Sequence, residues 1–252
     1  MKVAVVTGST RVIDFAISKE FAENNNAIVI VCSRSKQSAV KSAEEIKGKT
    51  FAAEIDVTNR SSIKRFLQQI VSDHERIDIL INNAGYSVDR KIWYKKFHEV
   101  TDDEVDRIFH EDTDDEVDRI IEVDLKGSMR LSMAVLHSML QNNPEEGVII
   151  NISSTPAIAG HIEGASYTIA KAANIALTKC IVLEYSDKNI RAYTLALDNI
   201  ATLAKYYSMN ENDRNKAAEE PSMRRWAGLK RSPRLMHVSQ VIIFLLLQVI
   251  PL

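Results

Sequence analysis

The chain has 252 residues, 45% of them hydrophobic and 26% charged, enough for one α/β domain with a full core over residues 1–252. A formal net charge of −2, with no basic patch interleaved with aromatics, gives no reason to expect a nucleic-acid partner. The two cysteines, Cys32 and Cys180, lie in apolar stretches without metal-ligand spacing, and the chain enters its first strand at Lys2 without a signal sequence, so a reduced, soluble, cytoplasmic protein is expected, with no metal and no membrane partner.

Strand and helix patterns alternate from the first residues. Lys2 to Thr7 is an apolar, β-rich run, and Gly8-Ser9-Thr10-Arg11 turns into a helical stretch ending near Asn24. Ala27 to Cys32 is a second strand, followed by a polar helix through Ile46. Thr50 to Ile55 is a third, ending on Asp56-Val57, and the next helix carries apolar Ile63, Phe66, Leu67 and Ile70 at helical spacing. Ile77 to Ile81 runs into Asn82-Asn83-Ala84-Gly85, Val148 to Ile152 runs into Ser153-Ser154, and a sixth strand covers Ile190 to Leu197. Continuous apolar strands joined by helices predict a doubly wound parallel sheet, Rossmann-like, covered on both faces. Such sheets bind ligands at the carboxyl ends of their strands, and the marked residues fall there: Gly8, Ser33 and Arg34, Asp56, Gly85, Ser154 and Thr202.

Tyr167 and Lys171, in Ser166-Tyr167-Thr168-Ile169-Ala170-Lys171, are four residues apart in a predicted helix, with Ser154 thirteen residues before the tyrosine. That spacing puts a phenol and an ammonium on one face, where the cation favours ionisation of the phenol. A tyrosine so placed is a general acid for a carbonyl oxygen. A bare YxxxK is more often a solvated pair on an exposed helix; the surrounding strand ends weigh against that here.

With Thr7 and Gly8 and the spacing after them, Asn82 to Gly85, and Ser154 with Tyr167 and Lys171, the chain resembles a single-domain short-chain dehydrogenase/reductase over roughly residues 1 to 230. The resemblance implies an NAD(P)-dependent oxidoreductase that interconverts a carbonyl and a secondary alcohol. In it Tyr167 is the general acid/base, Ser154 holds the carbonyl, and Lys171 tunes the tyrosine and holds the nicotinamide ribose. The cofactor residues it implies are Gly8, Thr10, Arg11, Ile13, Ser33, Arg34, Asp56, Val57, Asn83, Ala84, Gly85, Tyr167, Lys171, Ile200 and Thr202. The position at the end of strand two that would hold an acid for NAD reads Ser33, followed by Arg34, and Arg11 lies in the first loop, so NADP is favoured over NAD. Asp56 resembles the adenine-contacting acid, although a cap for the next helix is the competing reading. A homodimer or homotetramer is implied, as is a small carbonyl or alcohol substrate. His161, Tyr206 and Tyr207 are candidates on the substrate side.

The departures from the family pattern are informative. The second and third loop glycines are replaced by Val12 and Asp14, where backbone must approach a pyrophosphate closely. A carboxylate ~6 Å from a phosphate costs on the order of 3 kcal/mol at an effective dielectric near 20. Without ligand the same Asp14 is a favourable acid in the first turn of a helix. Asp124 stands where the family has the Asn of its proton relay, and a carboxylate there opposes ionisation of the phenol. Leu197-Asp198 replaces the usual Pro-Gly after strand six. Only eight glycines are present, about 3% where ~7% is usual.

Two further features are unusual. Phe97 to Ile108 is repeated as Phe109 to Ile120 with Asp112 in place of Val100, a tandem duplication too short for a solenoid; twelve extra residues turn a helix by roughly 120°, so one copy is expected as a separate helix or loop. The C-terminal end departs from the family from about residue 227. The usual seventh strand is expected to be missing, leaving an apolar tail from Val241 to Leu252 that falls short of the ~20 residues of a membrane span. The competing functional reading is therefore a protein of this fold with impaired cofactor binding and little activity, kept as a binding or assembly component.

Overall fold

The computed structural model describes residues 1–10, 12–24, 27–85, 116–160, 165–197, 200–201, 210–212, 214–215 and 227–228. The Val-, Ile- and Ala-rich runs form six parallel strands: β1 (Val3–Val6), β2 (Ile28–Ser33), β3 (Thr50–Glu54), β4 (Ile79–Asn82), β5 (Gly147–Ser154) and β6 (Ile190–Leu197). Their order in the sheet is β3-β2-β1-β4-β5-β6. The direction reverses beside β1, so the crevice of this doubly wound sheet opens above β1 and β4. A separate parallel pair joins β7 (Ile200–Ala201) to β8 (Ala227–Gly228).

Alternate residues of each strand face opposite sides, which is why the strands are apolar throughout. On one face, Val3, Val5, Ile30, Leu80 and Ile149 pack with α3 (Arg60–His74) and α5 (Ser128–Met139), through Ile63, Phe66 and Ile70 of the first and Leu131, Val135 and Met139 of the second. On the other, Ala4, Val6, Val29, Ile79, Ile81 and Ile150 pack with Ile17 and Phe21 of α1 (Val12–Asn24). Helix starts follow local chemistry: Ser35 caps α2 (Lys36–Glu45) by accepting from Ser38 N, and Asn59 caps α3 by accepting from Ser62 N.

Before β5 the chain runs through α4 (Glu116–Ile120), a π-helical segment (Ile121–Gly127) and α5. After β5 come a single turn, α6 (Pro156–Ala159), and the long α7 (Ala165–Tyr185). The expected helix before strand five is thus wound more widely over one stretch, and that stretch carries Asp124. Of the tandem repeat, residues 97–115 lie outside the described residues, as do Asp198 and the tail 229–252 in which the loss of a last strand was expected. Among the described residues no helix is long and apolar enough to cross a membrane.

Candidate active site

The loop after β1 is held from both neighbouring strands. Thr7 Oγ1 accepts from Asn83 N and Ala84 N at 3.0 and 2.9 Å and donates to Ile81 O, which ties the end of β1 to the end of β4. Ser9 Oγ donates to Val6 O and accepts from Cys32 N at 2.8 Å. Gly8 has φ +75°, a conformation that L side chains rarely adopt, and a Cβ there would lie 2.9 Å from Asp14 Oδ2 and 3.3 Å from Ala84 Cα. Asp14 lies in the first turn of α1, as expected for an acid that suits the helix dipole. It is buried and turned back against Gly8, where Asn83 Nδ2 donates to its Oδ1. Thr10 N meets Gly8 O at 2.6 Å, and Ile13 packs on the core below.

The ends of β2 and β3 are more open. Ser33 closes β2 with its Oγ accepting from Ser35 N, and Arg34 beyond it is exposed and makes no ion pair with the described residues. β2 itself ends on Ser33 rather than on an acid, and Glu54 of β3 stands in register beside it. Asp56 does not cap α3, which Asn59 does. Its Oδ1 instead accepts from Thr58 N and Thr58 Oγ1 at 2.9 and 2.7 Å, closing a local turn. Val57 is buried against Gly127, where a Cβ would sit 2.7 Å from Val57 Cγ2.

Ser154 is the last residue of β5 and its hydroxyl donates to Leu197 O of β6 at 3.2 Å. Tyr167 and Lys171 lie in the first two turns of α7, with Lys171 Nζ 5.6 Å from the tyrosine ring centroid. Lys171 is buried, and its Nζ lies 2.6 Å from Asp124 Oδ1 and 3.4 Å from Ile152 O. Burial works against the ammonium, but the Asp124 carboxylate foremost, then Tyr167 and Asp14, outweigh it and hold the lysine above its ordinary value of 10.5. Gly85 closes the group: a Cβ on it would stand 3.0 Å from Asp124 Oδ1 and 3.6 Å from Lys171 Nζ.

The sheet therefore brings Gly8, Asn83, Ala84, Gly85, Asp124 and Lys171 together at one edge, with Ser154 and Tyr167 on the adjoining β5 end and α7 start. Ile200 is placed by its backbone in β7, whereas Arg11, Thr202, His161, Tyr206 and Tyr207, and the side chain of Val12, lie outside the described residues. Sequence reasoning missed Asn174. It is buried on α7 and its Nδ2 donates to Asp124 O at 2.9 Å. The signal was present as an amide one turn beyond Lys171, on the helix face that also carries Tyr167 and Thr178. Also unforeseen is a buried polar ladder in which Asn82 Nδ2 donates to Ser132 Oγ and Asn151 Oδ1, and Asn151 Nδ2 donates to Thr178 Oγ1.

A sheet of this order with its polar residues gathered at the carboxyl edge defines the Rossmann-type α/β class. Residues 2–213 match the family model described as short chain dehydrogenase, and the chain belongs to that oxidoreductase family. It is 30% identical over 246 residues to the 3-oxoacyl-(acyl-carrier-protein) reductase FabG of Thermotoga maritima, covering 97% of this chain and 89% of that protein. The reductase of the same name from Vibrio cholerae is 32% identical over 80% of this chain and 74% of its own length. In fold, the chain is similar to a 3-ketoacyl-(acyl-carrier-protein) reductase from Brucella melitensis crystallised with NADH, at a TM-score of 0.77 and 23% identity over 97% of this chain and 90% of that one.

Proposed function

We propose that this chain is an NADP-preferring oxidoreductase that interconverts a carbonyl and a secondary alcohol, with Tyr167 as general acid/base. The observation that carries the reading is the buried Lys171 ammonium beside Tyr167 on α7, facing the crevice edge that also holds Gly85. A nicotinamide dinucleotide would supply the hydride. Gly8, Thr10 and Ile13 would hold its diphosphate, Ser33 and Arg34 its adenosine ribose, Asp56 and Val57 its base, and Asn83, Ala84, Gly85 and Lys171 its nicotinamide half. The exposed Arg34, following a β2 strand whose last residue is Ser33 rather than an acid, supports NADP through the extra phosphate. In reduction Tyr167 gives its phenolic proton to the carbonyl oxygen while Ser154, rotating its hydroxyl away from Leu197 O, donates to the same atom. The names of the relatives make a 3-oxoacyl thioester the first carbonyl substrate to try.

One observation favours a weakened enzyme. The Asp14 carboxylate lies beside Gly8 and its partner Asn83, in the loop that the diphosphate would share. At an effective dielectric near 20, that charge weakens dinucleotide binding by on the order of 3 kcal/mol, roughly 100-fold. Fluorescence titration with NADPH and NADH tests both readings. Saturable binding, tighter for NADPH, is expected, and Asp14→Gly with Val12→Gly should tighten it roughly 100-fold. No saturable binding at millimolar cofactor, in wild type and in the glycine variant alike, would overturn the proposal. We further propose a second copy of this chain as the protein partner, meeting it through the exposed apolar side of α5 and α7.

A further inference from the structure

Asp124 is held at two of its own atoms by one helix. Lys171 meets its carboxylate at 2.6 Å, and Asn174, three residues later on the same face of α7, donates from Nδ2 to its main-chain oxygen at 2.9 Å. Ser128 Oγ donates to that same oxygen at 3.0 Å. The oxygen belongs to the π-helical segment, whose wider turn turns Asp124 toward α7. All four residues are buried.

The amide is a poor choice for packing alone. Asn174 Oδ1 is buried and accepts no hydrogen bond among the described residues, a state that costs about 1–3 kcal/mol and that a leucine of similar size would avoid. Nor does the ladder need the side chain, because Thr178 Oγ1 donates to the main-chain oxygen of Asn174, which any residue supplies. What the side chain alone provides is a fixed distance between α7 and the backbone of Asp124.

We infer that Asn174 is a positioning residue for the Lys171–Asp124 pair, holding the π-helical segment at the one spacing from α7 that lets carboxylate and ammonium meet. This rests on Lys171 belonging to the catalytic group proposed above. Three ionisable groups act on the lysine: Asp124 from the π-helical segment, Tyr167 from its own helix and Asp14 from α1. Only Asp124 is tied to Asn174.

The test follows the Lys171 Nζ resonance by NMR in unliganded protein as pH is raised, the signal being assigned by its loss in Lys171→Met. Asn174→Leu is expected to lower the lysine midpoint by about one pH unit, a tenfold change. Thr178→Val, which cuts the ladder on the same helix without touching Asp124, should lower the melting temperature and leave the midpoint in place. An unmoved midpoint in Asn174→Leu overturns the inference, as does an equal movement in Thr178→Val. Should Asn174→Leu not fold, Asn174→Ser, too short to reach the oxygen, gives the same reading. Absence of cofactor binding by the wild type and the glycine variant alike would overturn the oxidoreductase reading and leave this midpoint comparison standing.

Discussion

At the scale of single residues, the meaning of the site turns on charges that the sequence displays but does not orient. Asp124 and Lys171 form a buried ion pair, and removing one member of such a pair strands the other. The folded-state pKa of Lys171 is raised, so its stabilisation is complete below the ordinary value of 10.5 and is lost as pH rises through the folded value. Asp124→Asn should therefore lower stability to urea by on the order of 3 kcal/mol near neutrality, with the gap to wild type closing at alkaline pH. A gap that stays constant with pH would show that the lysine is not the group involved. Tyr167, Lys171, Ser154 and the Asn83-Ala84-Gly85 turn were legible because their spacing and strand-end positions are properties of the chain itself. The inward turn of Asp14 onto Asn83 and the grip of Asn174 on Asp124 were not. Both join residues at least fifty positions apart, and only the packed helices decide where those side chains point.

At the scale of elements, the six parallel strands follow from apolar runs joined by helices, whereas their order β3-β2-β1-β4-β5-β6 is seen only in the structure. Nor does the π-helical segment follow from such runs, because its residues suit an ordinary helix equally well. Its seat is set instead by a neighbour. Gly127 ends the segment against Val57, with room for no Cβ. Gly127→Ala should cost about 1–3 kcal/mol through overpacking. Most of that loss should be restored by Val57→Ala, as a double-mutant cycle read by thermal unfolding would show. Strict additivity of the two changes would place the cost of the alanine elsewhere. The buried ladder from Ser132 through Asn82, Asn151 and Thr178 to Thr194 joins β4, β5, β6, α5 and α7 by hydrogen bonds rather than by apolar contact alone. It fixes α7, and with it Tyr167 and Lys171, against β5 and β6 at one flank of the sheet.

At the scale of the whole molecule, α5 and α7 leave Met129, Met133, Ile169, Val182 and Leu183 exposed, Leu183 at 83%. An apolar face of this kind on two packed helices is costly in water, and a second copy of the chain would cover it. Sedimentation should find a dimer or a tetramer that Met133→Glu with Leu183→Lys converts to monomer; a wild-type monomer at micromolar concentration would rule the pairing out. The opposite end of the sheet carries a different device. There Asp78, buried, accepts from Val3 N at 2.8 Å and pairs with Arg76, while Glu146 pairs with both Arg76 and Lys2. This cluster anchors the starts of β1, β4 and β5, a strand length away from Gly8, Gly85 and Ser154. This anchoring cluster shares no residue with the proposed site at the other rim. A lineage carrying this fold can lose or exchange its reaction at the upper rim by single substitutions and still inherit a folded chain, so descendants with altered rims remain open to selection for other tasks.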